Sequence, residues 1–232
     1  MGHYISKRNR NLCAGDGASD IYVQVFSKFA AFVAAKYPTI ASDATFGFLF
    51  LPGPQDFHIG TTFPSPPLPH TVQTVLRKSI SNCWFGWNPT RIIAQNTSEL
   101  VLFHSSLLDV LKPLYVDTLA NRHTFTNLIC DHAHLCPFLH PRINTVFHLD
   151  YMLQLPVLPH TLIYADTAFT CDSHLRFNQP HMYCGCEILY PKSFSDSQSY
   201  ILYLGDMLQR YYVLSQPHAQ GCVSCAGTVS QV

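Results

Sequence analysis

Residues 171–186 read CDSHLRFNQPHMYCGC, and no other stretch constrains the fold of this chain as tightly. Cys171 and His174 form a C-x2-H bite, His181 and Cys184 mirror it as H-x2-C, and Cys186 follows two residues on. Each bite can bring two side chains to one ion, and zinc suits a mix of thiolate and imidazole at about 2.0–2.3 Å. Four ligands meeting at one point force the backbone into a compact knuckle. Gly185 gives the C-x-C segment the freedom to turn both thiols inward. The expectation is a closed structural Zn2+ site on Cys171, His174, His181 and Cys184, with Cys186 in reserve. Such a site serves folding, because the free energy of binding the ion becomes free energy of folding.

A second stretch, CDHAHLC, offers Cys130, His132, His134 and Cys136 as additional ligands. As an extended strand its six-residue step would span roughly 20 Å, too far for one tetrahedral ion. As a helix it would pair Cys130 with His134 and His132 with Cys136 on different faces. Only a tight turn recruits three or more, so this stretch takes a supporting role. Cys222 and Cys225 form a lone C-x2-C near the C-terminus, a weak signal for metal or palmitate.

Composition sets the class. The chain has 232 residues, 47% hydrophobic and only 12% charged, with zero formal net charge. That is a folding composition with unusually little charge. It lacks the basic face that phosphate neutralisation demands, so no nucleic-acid partner is expected. Scarce charge beside many aromatics points to a permanent protein partner or a membrane contact. The enrichment in Phe, Leu, Ser, Pro, His and Tyr, all with pyrimidine-rich codons, suggests a viral origin. No secretory signal or membrane-length apolar run is visible, which places the chain in the cytoplasm and its cysteines in the thiol state.

The N-terminus MGHYIS fits the N-myristoylation pattern, with Gly2 as acceptor and Ser6 at the favoured position. Lys7, Arg8 and Arg10 would add the second, electrostatic signal for the cytoplasmic face of a membrane.

The element pattern is α+β, with a helical N-terminal half, a mixed strand and turn C-terminal half stabilised by the metal site, and a closing amphipathic helix. Residues 1–19 read as a flexible basic tail, and 20–232 as a single globular domain with a candidate subdivision near 120–130. Helices are expected over 21–36, 71–84 and from Ser98 to Pro113, the last on its Leu100, Leu102, Leu107, Leu108 and Leu111 spacing. ATFGFLFLP and HTLIYADTAF read as strands. Tyr200, Leu204, Met207, Leu208 and Tyr211 recur at helical spacing and define the closing helix. The proline-rich segment 61–70 is a stiff loop or a weak SH3 or WW ligand, and the terminal Ser230-Gln231-Val232 has the form of a weak PDZ ligand. No internal repeat is present.

The chain leans away from an enzyme. It has no glycine-rich phosphate loop, no G-x-S-x-G, no H-E-x-x-H, and only two glutamates, Glu99 and Glu187. One catalytic alternative remains. Cys83 stands before Trp84, and a Cys-Trp pair followed by a distant His at a strand start resembles the papain-like cysteine proteases. That resemblance implies Cys83 as nucleophile, His160 as base, and Asp172 or Asn178 orienting the imidazole. The expected function is a zinc-stabilised, N-myristoylated interaction or regulatory protein, with the protease as the alternative.

Overall fold

The computed structural model describes residues 18–54, 56, 62–94, 98–111, 122–137, 143–166, 180–193, 199–204, 209–214 and 228–231. Gly2, Asp172, Asn178, Cys171, His174, Cys222 and Cys225 lie outside the described residues. The chain is a mixed α+β protein that divides into two compact units. One comprises residues 1–90 with 144–147, and the other 91–143 with 148–232.

The first unit begins with helix α1 (Ala18–Lys36), whose Tyr22, Phe26, Ala30 and Val33 are buried on one face at helical spacing. A short helix α2 (Pro38–Ser42) leads into strand β1 (Phe48–Phe50). Helix α3 (His70–Ser79) buries Val72 and Leu76 against α1 and connects, through Ile80, to strand β3 (Cys83–Phe85). β1 and β3 run parallel, with Phe48 opposite Cys83 and Phe50 opposite Phe85. Phe50 is the hub: its ring lies 5.6–6.3 Å from those of Phe26, Phe29, Phe48 and Phe85. Alternation then turns Leu49 and Trp84 to the opposite, exposed face.

The helix expected over 71–84 ends at Ser79. Beyond it Ile80, Trp84 and Phe85 favour extended backbone, and pairing with β1 outweighs one more helical turn. The segment Thr62–His70 is anchored in the core over part of its length, with Pro66 and His70 exposed. Phe63, Pro64, Ser65 and Leu68 are buried, and Ser65 exchanges backbone hydrogen bonds with Asn88 at 2.8 and 3.0 Å. Strand β2 (Thr62–Phe63) pairs in parallel with β6 (Asn144–Thr145). Burial of Pro64 and Leu68 takes two positions of the P-S-P-P-L-P pattern away from an SH3 or WW partner.

The second unit is organised by a five-stranded sheet. It contains β4 (Thr90–Ala94), β5 (Ser98–Ser105), β7 (Thr161–Asp166), β8 (His181–Tyr183) and β9 (Cys186–Leu189), in the order β4-β5-β7-β9-β8. β5, β7 and β9 are mutually parallel, and β8 closes the edge antiparallel to β9. The SELVLFHS run, expected as helix, is strand β5. A central parallel strand is buried on both faces, so its apolar residues run continuously and imitate a helical pattern. A short helix α4 (Leu107–Leu111) follows it directly. Helix α5 (Arg122–Asp131), which no apolar spacing signals, and a 3-10 turn over Phe147–Met152 complete the described connections.

The closing amphipathic helix is also corrected. Residues 199–231 contribute an antiparallel sheet of β10 (Ser199–Leu204), β11 (Gln209–Leu214) and β12 (Thr228–Gln231). SYILYL and RYYVL are rich in β-branched and aromatic residues, and Gly205-Asp206 between them is a turn signal that the helical spacing overrides. Ser230 and Gln231 pair with β11, so they belong to a sheet rather than to a free PDZ-type tail.

Candidate functional site

The Cys/His segment folds around the β8–β9 hairpin. Tyr183 and Cys186 are register partners, and the chain reverses through Cys184 and Gly185 at φ 48° and 81°. Two consecutive residues in the left-handed region make a primed two-residue turn, the form that matches strand twist. No atom lies within 4 Å of the position a Gly185 Cβ would take, so the glycine answers to backbone conformation and not to crowding. The turn separates the two thiols: Cys184 is exposed and Cys186 is buried.

Helix α5 lies along this hairpin through a series of polar contacts. The His181 Nε2 and Asn127 Oδ1 are 2.6 Å apart, and the His123 and His181 rings are centred 4.3 Å apart. Thr126 and Tyr190 share a hydrogen bond of 2.7 Å, and the Tyr183 hydroxyl donates to Asp131 at 2.7 Å. That carboxylate, an acceptor for the neutral phenol, holds the Tyr183 pKa up at about 12. The Cys186 Sγ lies 3.7 Å from the Glu187 carbonyl oxygen. Interaction with the Cys130 side chain, followed by the Leu162 backbone, holds the Cys186 pKa below the usual thiol range against its burial. The same interaction, together with burial, pushes Cys130 up.

Of the expected ligands, the structure therefore places His181 against Asn127, Cys186 against Cys130, and Cys184 on the open turn. Among the described residues no three His, Cys, Asp or Glu side chains gather as a metal-holding group. The CDHAHLC stretch does supply a turn, but it ends a helix. Ala133 sits at φ 49°, its N–H donates to Cys130 O at 3.0 Å, and the His134 N–H donates to Ile129 O at 3.1 Å. Those two bonds define a Schellman C-cap of α5. His134 then accepts from the Cys136 N–H at 3.0 Å and meets Asp150 at 3.3 Å, while Cys136 is buried. These side chains secure the turn from helix to loop.

Two buried carboxylates fix the chain at turns and strand ends. Asp166, at the end of β7, accepts from the Ser105 hydroxyl at 2.8 Å, the Tyr164 hydroxyl at 3.0 Å and the Leu108 N–H at 3.2 Å. Burial first, and then the neighbouring Asp166 charge, drives the Tyr164 phenol well up. This knot sits at the carboxyl ends of the parallel strands β5 and β7, where Ser105 and Asp166 are register partners. In the first unit Asp56 plays a similar part. It accepts from the Tyr22 hydroxyl and, at 2.7 Å, from the Gly53 N–H, fixing the buried Pro52-Gly53-Pro54 turn. Neither carboxylate announces itself in the sequence, because Tyr22 and Ser105, the distant partners of Asp56 and Asp166, stand 34 and 61 residues away.

The protease alternative is overturned on its own residues. Cys83 lies within β3 and not at a helix N-terminus, and its Sγ is 3.8 Å from the Ile80 carbonyl oxygen. Burial raises its pKa despite Arg77, the opposite of an activated thiolate. The His160 Nδ1 accepts from the Glu99 backbone N–H at 3.1 Å.

Comparison with known proteins places the chain in a family. The family model for the B subunit of DNA polymerase alpha/epsilon matches residues 5–172, and the chain belongs to that family. It is similar to the DNA polymerase epsilon B subunit of Arabidopsis thaliana, at 28% identity over 209 residues that cover 88% of this chain and 37% of that protein. It is also similar to DNA polymerase epsilon subunit 2 of Homo sapiens, at 29% over 143 residues covering 60% and 27%. The DNA polymerase epsilon B subunit of Saccharomyces cerevisiae is 24% identical over 209 residues, covering 71% and 29%. The chain thus spans about a third of the length of the curated relatives it matches.

Family membership corrects several expectations together. The viral, myristoylated regulator at a cytoplasmic membrane face is overturned by membership in a DNA polymerase B-subunit family. The exclusion of nucleic acid from net charge also falls, since the family and the relatives are subunits of a DNA polymerase. The lean away from an enzyme stands, since the family is one of B subunits, accessory to a polymerase.

Proposed function

We propose that this chain forms part of the B subunit of an epsilon-type DNA polymerase and acts in the nucleus as a scaffold for other polymerase subunits. The observation that carries the proposal is the match to the B-subunit family over residues 5–172, extended by 28% identity to a relative across 88% of the chain. The internal hydrogen bonds of Asp56 and Asp166, which fix a buried turn and the end of β7, are in keeping with a structural role. Affinity purification of the tagged protein from its own cells, followed by mass spectrometry, tests the reading. Recovery of the polymerase epsilon catalytic chain is expected. Its consistent absence, with the tagged protein spread outside the nucleus, overturns the proposal.

A structural zinc ion is carried as a narrower part of the same proposal. Its support is the C-x2-H bite of Cys171 and His174 together with the exposed thiol of Cys184. Metal analysis of purified protein should find one zinc per chain, lost in Cys171→Ser. A metal-free protein removes the ion from the account.

A further inference from the structure

Helix α1 buries Tyr22, Phe26, Ala30 and Val33, and its outer face carries an aromatic centre flanked by cations. On a helix surface the neighbours of a residue stand three and four positions away. For Phe32 these are Lys28, Phe29, Ala35 and Lys36, and all five residues are exposed. Phe32 is 53% exposed, and its ring meets that of exposed Tyr37 edge to face at 6.2 Å. Phe29 is fixed from beneath by T-shaped contacts with Phe48 and Phe50 at 6.5 and 6.1 Å. Lys28 and Lys36 stand about one turn to either side of Phe32, roughly 12 Å apart along the axis. Neither lysine makes an ion pair among the described residues. Residues 21–42 contain no acid, and Asp43 beyond them is engaged by the Thr45 N–H at 2.8 Å. The charge on this face is therefore of one sign, and the aromatic centre lies within it.

We propose that this face of α1 docks an acidic amphipathic helix of a partner protein. The partner sets an apolar side chain on Phe32 and a carboxylate against each of Lys28 and Lys36. On the partner helix the two carboxylates then stand about eight residues apart, with the apolar residue midway between them on the same row. An aromatic anchor at the centre with complementary charge at the rim is the usual anatomy of such a contact. The choice of a protein over a lipid surface or a nucleic acid follows from the count of cations. Membranes and phosphate backbones recruit clusters of basic residues, and this face offers two lysines. The contact is a property of α1 and holds whichever assembly the chain joins.

The experiment titrates the full, isotopically labelled chain with two synthetic alanine-based helical peptides and follows its amide signals by NMR. Both peptides carry a central leucine; one has glutamate four residues to each side of it, the other lysine. The glutamate peptide should move the signals of residues 28–37 and bind about tenfold tighter than the lysine peptide at low salt. The double variant Lys28→Glu/Lys36→Glu should reverse that preference. Phe32→Ser, at an exposed position, should weaken the glutamate peptide about tenfold with Tm unchanged. If the charge-reversed variant does not fold, Phe32→Ser and the preference of the parent protein decide. Equal binding of the two peptides, no shift at millimolar peptide, or shifts centred away from α1 overturns the proposal. So does tighter binding of phosphatidylserine vesicles or single-stranded DNA through the same residues. Signals of 28–37 that move with protein concentration alone would assign the face to a second copy of the chain and equally overturn it.

Discussion

The two units solve the problem of a specific interior in different ways. The first unit packs rings: Tyr22, Phe26, Phe29, Phe48, Phe50 and Phe85 are in edge, tilted or stacked contact, and one carboxylate pins a turn. The second unit threads polar pairs through a parallel sheet, with Ser105, Tyr164 and Asp166 at one end and the α5 contacts to Tyr183 and Tyr190 elsewhere. Apolar rings tolerate imperfect neighbours, because dispersion is non-directional and summed over many atoms. Buried polar groups do not, because an unpartnered one costs its full desolvation. The first unit should therefore fail by losing volume and the second by losing partners.

The largest expected effect tests the first half of that contrast. Phe50→Ala removes the hub ring and leaves a cavity that Phe26 and Phe85 cannot close, costing about 4 kcal/mol in denaturant melts. Phe50→Leu, which keeps most of the volume, should recover at least half of that loss. A flat response in both would mean that the ring cluster is not what holds this unit.

Asp166→Ala comes next, at about 3 kcal/mol, because it leaves the Ser105 and Tyr164 hydroxyls and the Leu108 N–H without their acceptor. Tyr164→Phe keeps the ring against Phe103 and Phe125 and removes only the hydroxyl, so about 1–2 kcal/mol is expected. If both variants melt like the parent protein, the second unit is held by apolar burial alone and the contrast between the units disappears.

That same contrast explains what can be read from the residues. Helix α1 is legible because its buried face repeats at a fixed local spacing, and β7 because Thr161 to Asp166 form a short apolar run with strand character. β5 imitates a helix because burial on both faces erases alternation, and Leu107 and Leu108 of the next helix extend the apparent helical spacing. Helix α5 is hidden because RHTFTNLICD is weakly apolar and its fixing contacts, Asn127 to His181 and Asp131 to Tyr183, are 54 and 52 residues distant. The C-x-C spacing suggests two thiols turning to one ion, yet the two-residue turn sends Cys184 out and Cys186 in. Membership in the polymerase family rests on similarity spread along the chain, not on any motif a single sequence displays.

A smaller effect of opposite sign sits at the C-cap of α5. Ala133 occupies the left-handed position of a Schellman motif at φ 49°, where a Cβ is unfavourable. Ala133→Gly relieves that conformation but adds freedom to the unfolded chain, so a net gain of about 0.5 kcal/mol is expected. A loss of stability would show that the Ala133 methyl packs to more effect than its backbone suffers.

The smallest effect is read by titration. Tyr183 is held at about 12 by its hydrogen bond to Asp131, against an ordinary value of 10.0. A group whose folded pKa is raised contributes stability that is fully present below its unfolded pKa and is lost as pH climbs through the folded value. The window for Tyr183 therefore opens near pH 10 and closes near pH 12, with no effect at neutral pH. Absorbance titration should show one tyrosine ionising near the top of that window, and Asp131→Asn should bring it down. Because Asp131 ends α5 and Tyr183 ends β8, the shift reports whether the helix still lies on the hairpin. An unchanged titration in Asp131→Asn would mean that this contact is not made in solution, and the seam between α5 and the hairpin would then rest on His123, Thr126 and Asn127.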